Sequence, residues 1–494
     1  MSKSAIPGII PDDLWVEVYH YLEVVYIVRS ARVCRYLNDL LKLRTIWINA
    51  ISSQIQGEGL ALPGRNLGIP LADYDAETLK EMTIRATKLT LNLAYPNPKP
   101  TAELDSHVEK SHITHVFLIS DGQGADWVLV SVAATTISCW EVLKDPLQLL
   151  PAGSWNSGDA FIIEVARDTT QTTPCMLCVS IKEPRAEVYK TLIIRVTDLQ
   201  LRGIPKFEVL QTLENHFVGL IRGDYVGAWR ARRKVATITN WRTSEKRQYR
   251  LLPEDHPMAG LDTFEQGCTM ELISTSLVII TTNFRAVWDI TEAHTTQPSL
   301  PSFLQRTSYN ETRLASLVPL PLTCRLLDSL PGKDLATAAF LALTRTKTAT
   351  GSETALFEVF IQRRDAETEW EIHAVDRGST SATSLSPYVQ GVLLGSSGRG
   401  VVMDTVTVPR GDVWDSLPRL ILFDIVPRDL HVGVPPAIDS WSFSISPGST
   451  ESVLGLLKSK EEVPLKTTCL DYDDSQGRIA VATSDGRLRI IEYV

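Results

Sequence analysis

The chain has 494 residues, with 49 Lys and Arg against 58 Asp and Glu and a formal charge of −9. Apolar residues make up 44% and charged residues 22%, a balance that excludes a disordered chain, and the acidic excess argues against bulk binding to nucleic acid or an anionic membrane. So long a chain exceeds one ordinary core.

The opening "MSKSAIPGIIPDD" has one lysine and an apolar stretch broken by Pro7 and Pro11, so it does not read as a secretory signal. No apolar run reaches the ~18 residues that a spanning helix needs. Seven scattered cysteines suit a reducing compartment better than a disulfide scaffold. These features predict a soluble intracellular protein, cytoplasmic or nuclear.

The first elements are helical. Pro11 fits the first position of a helix, and Asp12 and Asp13 place negative charge at its positive end. Leu14, Val18 and Leu22 recur every four residues and form one stripe. A second helix is expected over 25–41, carrying Ile27, Ala31, Val33, Leu37 and Leu41. Thr45 is placed to cap a third, with Trp47 and Ile51 on one side. Three short helices cannot bury all these faces among themselves. Either the rest of the chain covers them or another protein does.

The segment Ile6–Ile51 resembles an F-box. The resemblance rests on Ile10-Pro11, the amphipathic run Leu14 to Leu22, Val33-Cys34-Arg35 and Ile46-Trp47, in that order. Where the family often has Asp-Leu after the first helix, this chain has Tyr26-Ile27; the frequent Trp three residues after the Cys is Leu37. The resemblance implies docking to a Skp-family adaptor and, through it, to a cullin scaffold. In physical terms this is helix-in-groove recognition with apolar anchors. The residues it assigns to the adaptor are Ile10, Pro11, Leu14, Val18, Leu22, Val33, Cys34 and Trp47, the last of which could equally serve internal packing.

Residues 1–55 thus form the F-box-like unit, and 56–105 a linker with a connecting helix. "GEGLALPGRNLGIPLADYD" is rich in Gly and Pro, whereas "DAETLKEMTIRATKLTLNL" carries Leu79, Met82, Ile84, Ala86 and Leu89 with acids early and bases late, which predicts a helix.

From 106 to 494 the pattern changes to short alternating strands between turns. The clearest unit has strands at Val116–Ile119 and Trp127–Val132 and a third ending in Trp140-Glu141-Val142. Another closes on Trp288-Asp289-Ile290, and the last runs through an Asp485-Gly486 turn. These units resemble WD repeats, the blades of a β-propeller. Strand endings near 142, 199, 243, 290, 375, 425 and 493 suggest seven blades, with a loop insertion in the long interval after 290. The family closes its ring by pairing a strand from one terminus into the blade at the other, and the strand-like segment before Val494 fits that role. The fold expected is a small all-α unit followed by an all-β propeller.

Candidate chemistry is sparse. Cys175 and Cys178 form a lone C-x-x-C in a strand-like run, where positions i and i+3 face opposite ways, so packing is the better reading than zinc or redox chemistry. His107, His112 and His115 cluster without a convincing fourth ligand; His112 or His115 fits the structural histidine that precedes a WD-repeat blade. Gly395 to Gly400 lacks the Gly-Lys-Ser/Thr of a phosphate loop and reads as a tight turn. Trp229 to Lys234 is basic and aromatic, better explained as a solvated hairpin than as a nuclear signal or a patch for an acidic partner. No catalytic, cofactor or metal site is expected. The function implied is a non-catalytic substrate-recognition subunit of an SCF-type ubiquitin ligase, whose propeller binds a target protein. The alternative is a propeller scaffold whose F-box-like helices pack internally or bind the adaptor without target turnover. A propeller hydrolase would need titratable groups converging at the axis.

Overall fold

The computed structural model describes residues 10–250 and 467–493 apart from short connecting segments, and the strands between 269 and 445. Among the described residues, five α-helices come first: α1 (Asp12–His20), α2 (Val24–Ser30), α3 (Arg35–Leu40), α4 (Arg44–Ala50) and α5 (Ala76–Ala94). Pro11 stands just outside α1 as its N-cap, and its carbonyl accepts the first bonds from the Leu14 and Trp15 amides at 3.1 and 3.2 Å.

The single helix expected over 25–41 is two helices. Ser30 ends α2: its Oγ donates to the Ile27 carbonyl at 2.6 Å and bonds the Tyr19 hydroxyl at 2.8 Å, so it competes with the helical ladder. Tight i−3 bonds from Arg32 and Val33 close the turn, and Cys34 is extended, with φ −160° and ψ 163°. Val33 therefore projects from a turn, whereas Leu37 packs on the core. Thr45 does not cap α4; the N-cap is Leu43, which leaves Thr45 inside the helix and exposed. Gln54, in the π-helical turn Ile51–Gln56, clamps the α1–α2 junction by accepting from the Val24 amide at 2.9 Å and donating to the Leu22 carbonyl at 2.6 Å.

The helical core holds Tyr19, Ile27, Ile46, Trp47 and Ile51, and α5 supplies its missing wall through Leu79, Met82 and Ala86. Trp47 is wholly buried and donates its Nε1–H to the Leu41 carbonyl at 2.8 Å. Of its two possible roles, the structure gives it internal packing. Asp75 caps α5, accepting from the Thr78 amide at 2.8 Å and the Thr78 hydroxyl at 2.9 Å.

Among the described residues, seven four-stranded antiparallel sheets follow. The first comprises Ile113–Ser120, Asp126–Val132, Thr136–Lys144 and Leu147–Asn156; the second Phe161–Arg167, Cys175–Lys182, Tyr189–Thr197 and Lys206–Glu214. The third spans Leu220–Arg222 to Lys246–Arg250, the fourth Thr269–Ile273 to Phe303–Arg306, the fifth Thr312–Leu320 to Glu369–Ala382 and the sixth Gly391–Leu394 to Ser444–Ile445. The last combines Thr467–Asp473, Arg478–Thr483 and Arg487–Glu492 with Ala102–His107 as its outer strand. From the second sheet to the last, the leading strand of each sheet touches that of the next, and that of the last touches that of the first. The first and second sheets share one apolar core, in which Trp127 and Leu129 meet Ile162 and Leu177. Few helices followed by many four-stranded sheets make this a propeller-like all-β architecture.

Several expectations shift. The strand added to the last sheet is Ala102–His107, which crosses the boundary expected at 106, and it flanks Arg487–Glu492. The ending placed near 375 lies in the outer strand Glu369–Ala382 of the fifth sheet, whose third strand ends at Arg364. The interval is long because that sheet has strands of 13 and 14 residues. The segment expected to be a loop insertion carries strands Phe303–Arg306 and Thr312–Leu320.

Candidate partner-docking surface

The four-residue spacing on α1 sorts its side chains onto two faces. Trp15 and Tyr19 turn inward to the helical core, while Leu14 and Val18 turn outward and are 56% and 44% exposed. Ile10 is 40% exposed and Val33 73%. Pro11 is also exposed, whereas Leu22 and Cys34 are half-buried. Leu22 follows the end of α1 and packs on the core, so the outward stripe stops at Val18. The expected set thus divides into five exposed residues, two half-buried ones and the buried Trp47.

Sequence periodicity missed Tyr21, Tyr26 and Leu43, which are also exposed. Tyr21 and Leu43 lie outside the helices, where a periodic pattern says nothing. Tyr36 ties the Ile10–Pro11 arm to α3: its hydroxyl donates to Asp12 Oδ1 at 2.5 Å and approaches the Ile10 carbonyl at 3.4 Å. The bond to the Asp12 carboxylate pushes the Tyr36 hydroxyl up to about 12. Charges of both signs border the apolar residues: Asp12, Asp13, Glu17 and Glu23 are exposed around α1, and Arg29, Arg32 and Arg35 around α2 and α3. The Arg29 guanidinium lies 5.8 Å from the Tyr26 ring centre. Apolar side chains that stand out from such a surface can enter a groove on another polypeptide.

The two cysteines of the C-x-x-C resolve into packing. Cys175 and Cys178 are both buried in strand Cys175–Lys182 and belong to different clusters, one shared with the first sheet and one with Ile221 and Val226 of the third. Burial pushes the Cys175 thiol up to about 12 and the Cys178 thiol well above its usual value. His107 accepts from Arg487 Nε at 3.1 Å, His115 lies 3.5 Å from Glu164 and stacks on Phe117, and His112 is exposed. Among the described residues, no group of three or more His, Cys, Asp or Glu side chains converges to hold a metal ion. Trp229 and Arg230 end a strand that pairs with Val235–Asn240 as a hairpin; residues 231–234 lie outside the described set. Around Gly395 to Gly400, strands Gly391–Leu394 and Arg399–Arg410 pair antiparallel, and residues 395–398 lie outside the described set. No helix among the described residues is long and apolar enough to cross a membrane.

No family model matches the chain, and no curated protein matches it. Among solved structures, the crystal structure of Saccharomyces cerevisiae Sqt1 is similar over 80% of this chain and 98% of that one, at 11% identity and a TM-score of 0.39.

Proposed function

We propose that the chain is the substrate-recognition subunit of an SCF-type ubiquitin ligase. Its helical unit is an F-box that docks on a Skp-family adaptor, and its β domain is a seven-bladed WD-like propeller that binds a target protein. The chain performs no chemistry itself; it holds the target near subunits that do. The observation that carries this reading is the exposure of Ile10, Leu14, Val18 and Val33 beside a core that is already complete without them. Trp47, Ile27 and Ile51 are fully buried by α5 and their own neighbours, so these four side chains are surplus to internal packing. Surplus apolar side chains on a helical unit are what a groove-forming partner needs as anchors.

The seven sheets support the propeller half. Contacts between successive sheets, and the pairing of Ala102–His107 with Arg487–Glu492, fit a ring closed by a strand from its N-terminal side. The test is co-purification with a cullin. The wild-type chain retains the scaffold, and L14D and V33D lose it while remaining folded. Retention by both variants would favour a scaffold whose helices do not engage the adaptor through this face.

A further inference from the structure

The first and last sheets meet at a seam where small apolar side chains accompany buried charge. Val128, Val130 and Leu118 of the first sheet face Ala480, Ala482 and Ile490 of the last. Beside them Arg478, 4% exposed, places Nη1 at 2.9 Å from Oδ2 of Asp126, which is 1% exposed. Its Nε donates to Glu492 Oε1 at 2.8 Å, and its Nη2 bonds the same carboxylate. Asp126 opens the second strand of the first sheet, while Arg478 and Glu492 belong to the last. One cation therefore joins residues more than 350 positions apart in sequence. Asp471 adds a further cross-seam bond by accepting from the Leu118 amide at 2.7 Å.

The strand that completes the last sheet is also held by charge. Arg489 Nε donates to Asp105 at 2.8 Å, and Arg487 to His107. The junction of the first and second sheets is likewise apolar, with Trp127, Ile137, Ile162, Leu177 and Leu192 in one continuous core, but its ion pair, His115 with Glu164, is partly exposed rather than buried.

We propose that Arg478 is the latch of this seam, and that without it Ala102–His107 and Arg487–Glu492 open together while the second sheet stays closed. A buried cation between two carboxylates contributes mainly through the cost of leaving its partners unpaired, so removing it destabilises the seam. Opening has a second consequence. Leu89 of α5 packs on Ile479 and Ile491 of the same sheet and on Tyr493 just beyond it. The latch therefore fixes the position of the helical unit against the β domain. None of this depends on what the helical unit binds.

Hydrogen exchange on the full chain tests the latch. In R478M, amides of Ala102–His107, Arg487–Glu492 and the α5 segment around Leu89 should exchange at least about tenfold faster than in wild type. Those of Cys175–Lys182 and Tyr189–Thr197 should stay within about twofold. Equal acceleration in the second sheet, or no acceleration at the seam, overturns the proposal. If R478M does not fold, D126N decides by the same criteria, because it removes the carboxylate on the far side of the seam and leaves the Arg478–Glu492 pair within the last sheet.

Discussion

Asn92 and Tyr493 stand 401 residues apart in sequence and are joined by a hydrogen bond, with Asn92 Nδ2 donating to the Tyr493 carbonyl at 2.7 Å. The same amide group also donates to the Lys99 carbonyl at 2.8 Å and accepts from the Lys99 amide at 3.0 Å. One side chain thus joins the end of α5 to Lys99 and to the residue that follows the last strand. A turn earlier, Leu89 is fully buried against Ile479, Val481 and Ile491. Leu89→Ala should cost about 2–5 kcal/mol in a denaturant melt. Leu91→Ala, on the exposed side of the same helix, should stay within about 0.5 kcal/mol. Equal costs would mean that α5 is not seated on the sheet as described.

Trp47 offers the complementary contrast within the helical unit. It is buried to 0% exposure and its indole N–H is satisfied by Leu41. Trp47→Ala should destabilise by about 3–5 kcal/mol through the cavity it leaves. Val33→Asp, on the exposed turn, should change stability by no more than about 0.5 kcal/mol. Thermal melts of the two variants separate a core residue from a surface one, and a large loss in V33D would show that Val33 packs internally after all.

Asp75 makes the start of α5 sensitive to pH. The Thr78 amide and hydroxyl hold its carboxyl below the usual carboxylate value. A lowered pKa stabilises the folded chain above the usual carboxylate pKa, and the effect fades as pH falls through the lowered value. Asn caps a helix about as well as Asp, so Asp75→Asn should remove that pH dependence and lower the melting temperature at neutral pH only slightly, through the lost carboxylate charge. Melting curves at pH 7 and at acid pH check this; a wild-type and variant difference that persists unchanged in acid would contradict it.

Thiol reactivity tests the burial of the first and second sheets. Cys139, Cys175 and Cys178 are buried, and loss of solvent raises all three thiols. Cys34 and Cys469 are half-buried. Peptide mapping after brief alkylation of the native chain should show label on Cys34 and Cys469 before Cys139, Cys175 or Cys178. Labelling of Cys178 at the rate of Cys34 would place the strand Cys175–Lys182 at the surface.

Much of this architecture was legible in residue patterns, because the physical signals are local. Alternation and turn residues marked strands such as Asp126–Val132 and Thr136–Lys144. The run of Leu79, Met82, Ala86 and Leu89 located α5. The rest depended on tertiary context. Ser30 breaks a helix by bonding to Tyr19, a partner eleven residues away that periodicity does not register. Ala102–His107 alternates in burial, but its inner positions Ala102, Leu104 and Ser106 are only half-buried and include a small and a polar residue, so the apolar signal is faint, while Asp105 and His107 accept from Arg489 and Arg487. The four-residue stripe on α1 was visible, and periodicity alone left its direction open: Leu14 and Val18 face out because Trp15 and Tyr19 fill the core. Seeing that requires knowing that α5 closes the other side.

The central claim is that a second polypeptide completes the exposed face of α1 and the turn at Val33. Titration calorimetry of the purified full chain with a Skp-family adaptor measures it directly. Saturable binding by wild type, weakened at least about tenfold in both L14D and V33D at unchanged melting temperature, is the result expected. Absence of binding by a folded wild-type chain, or equal affinity in both variants, would contradict it.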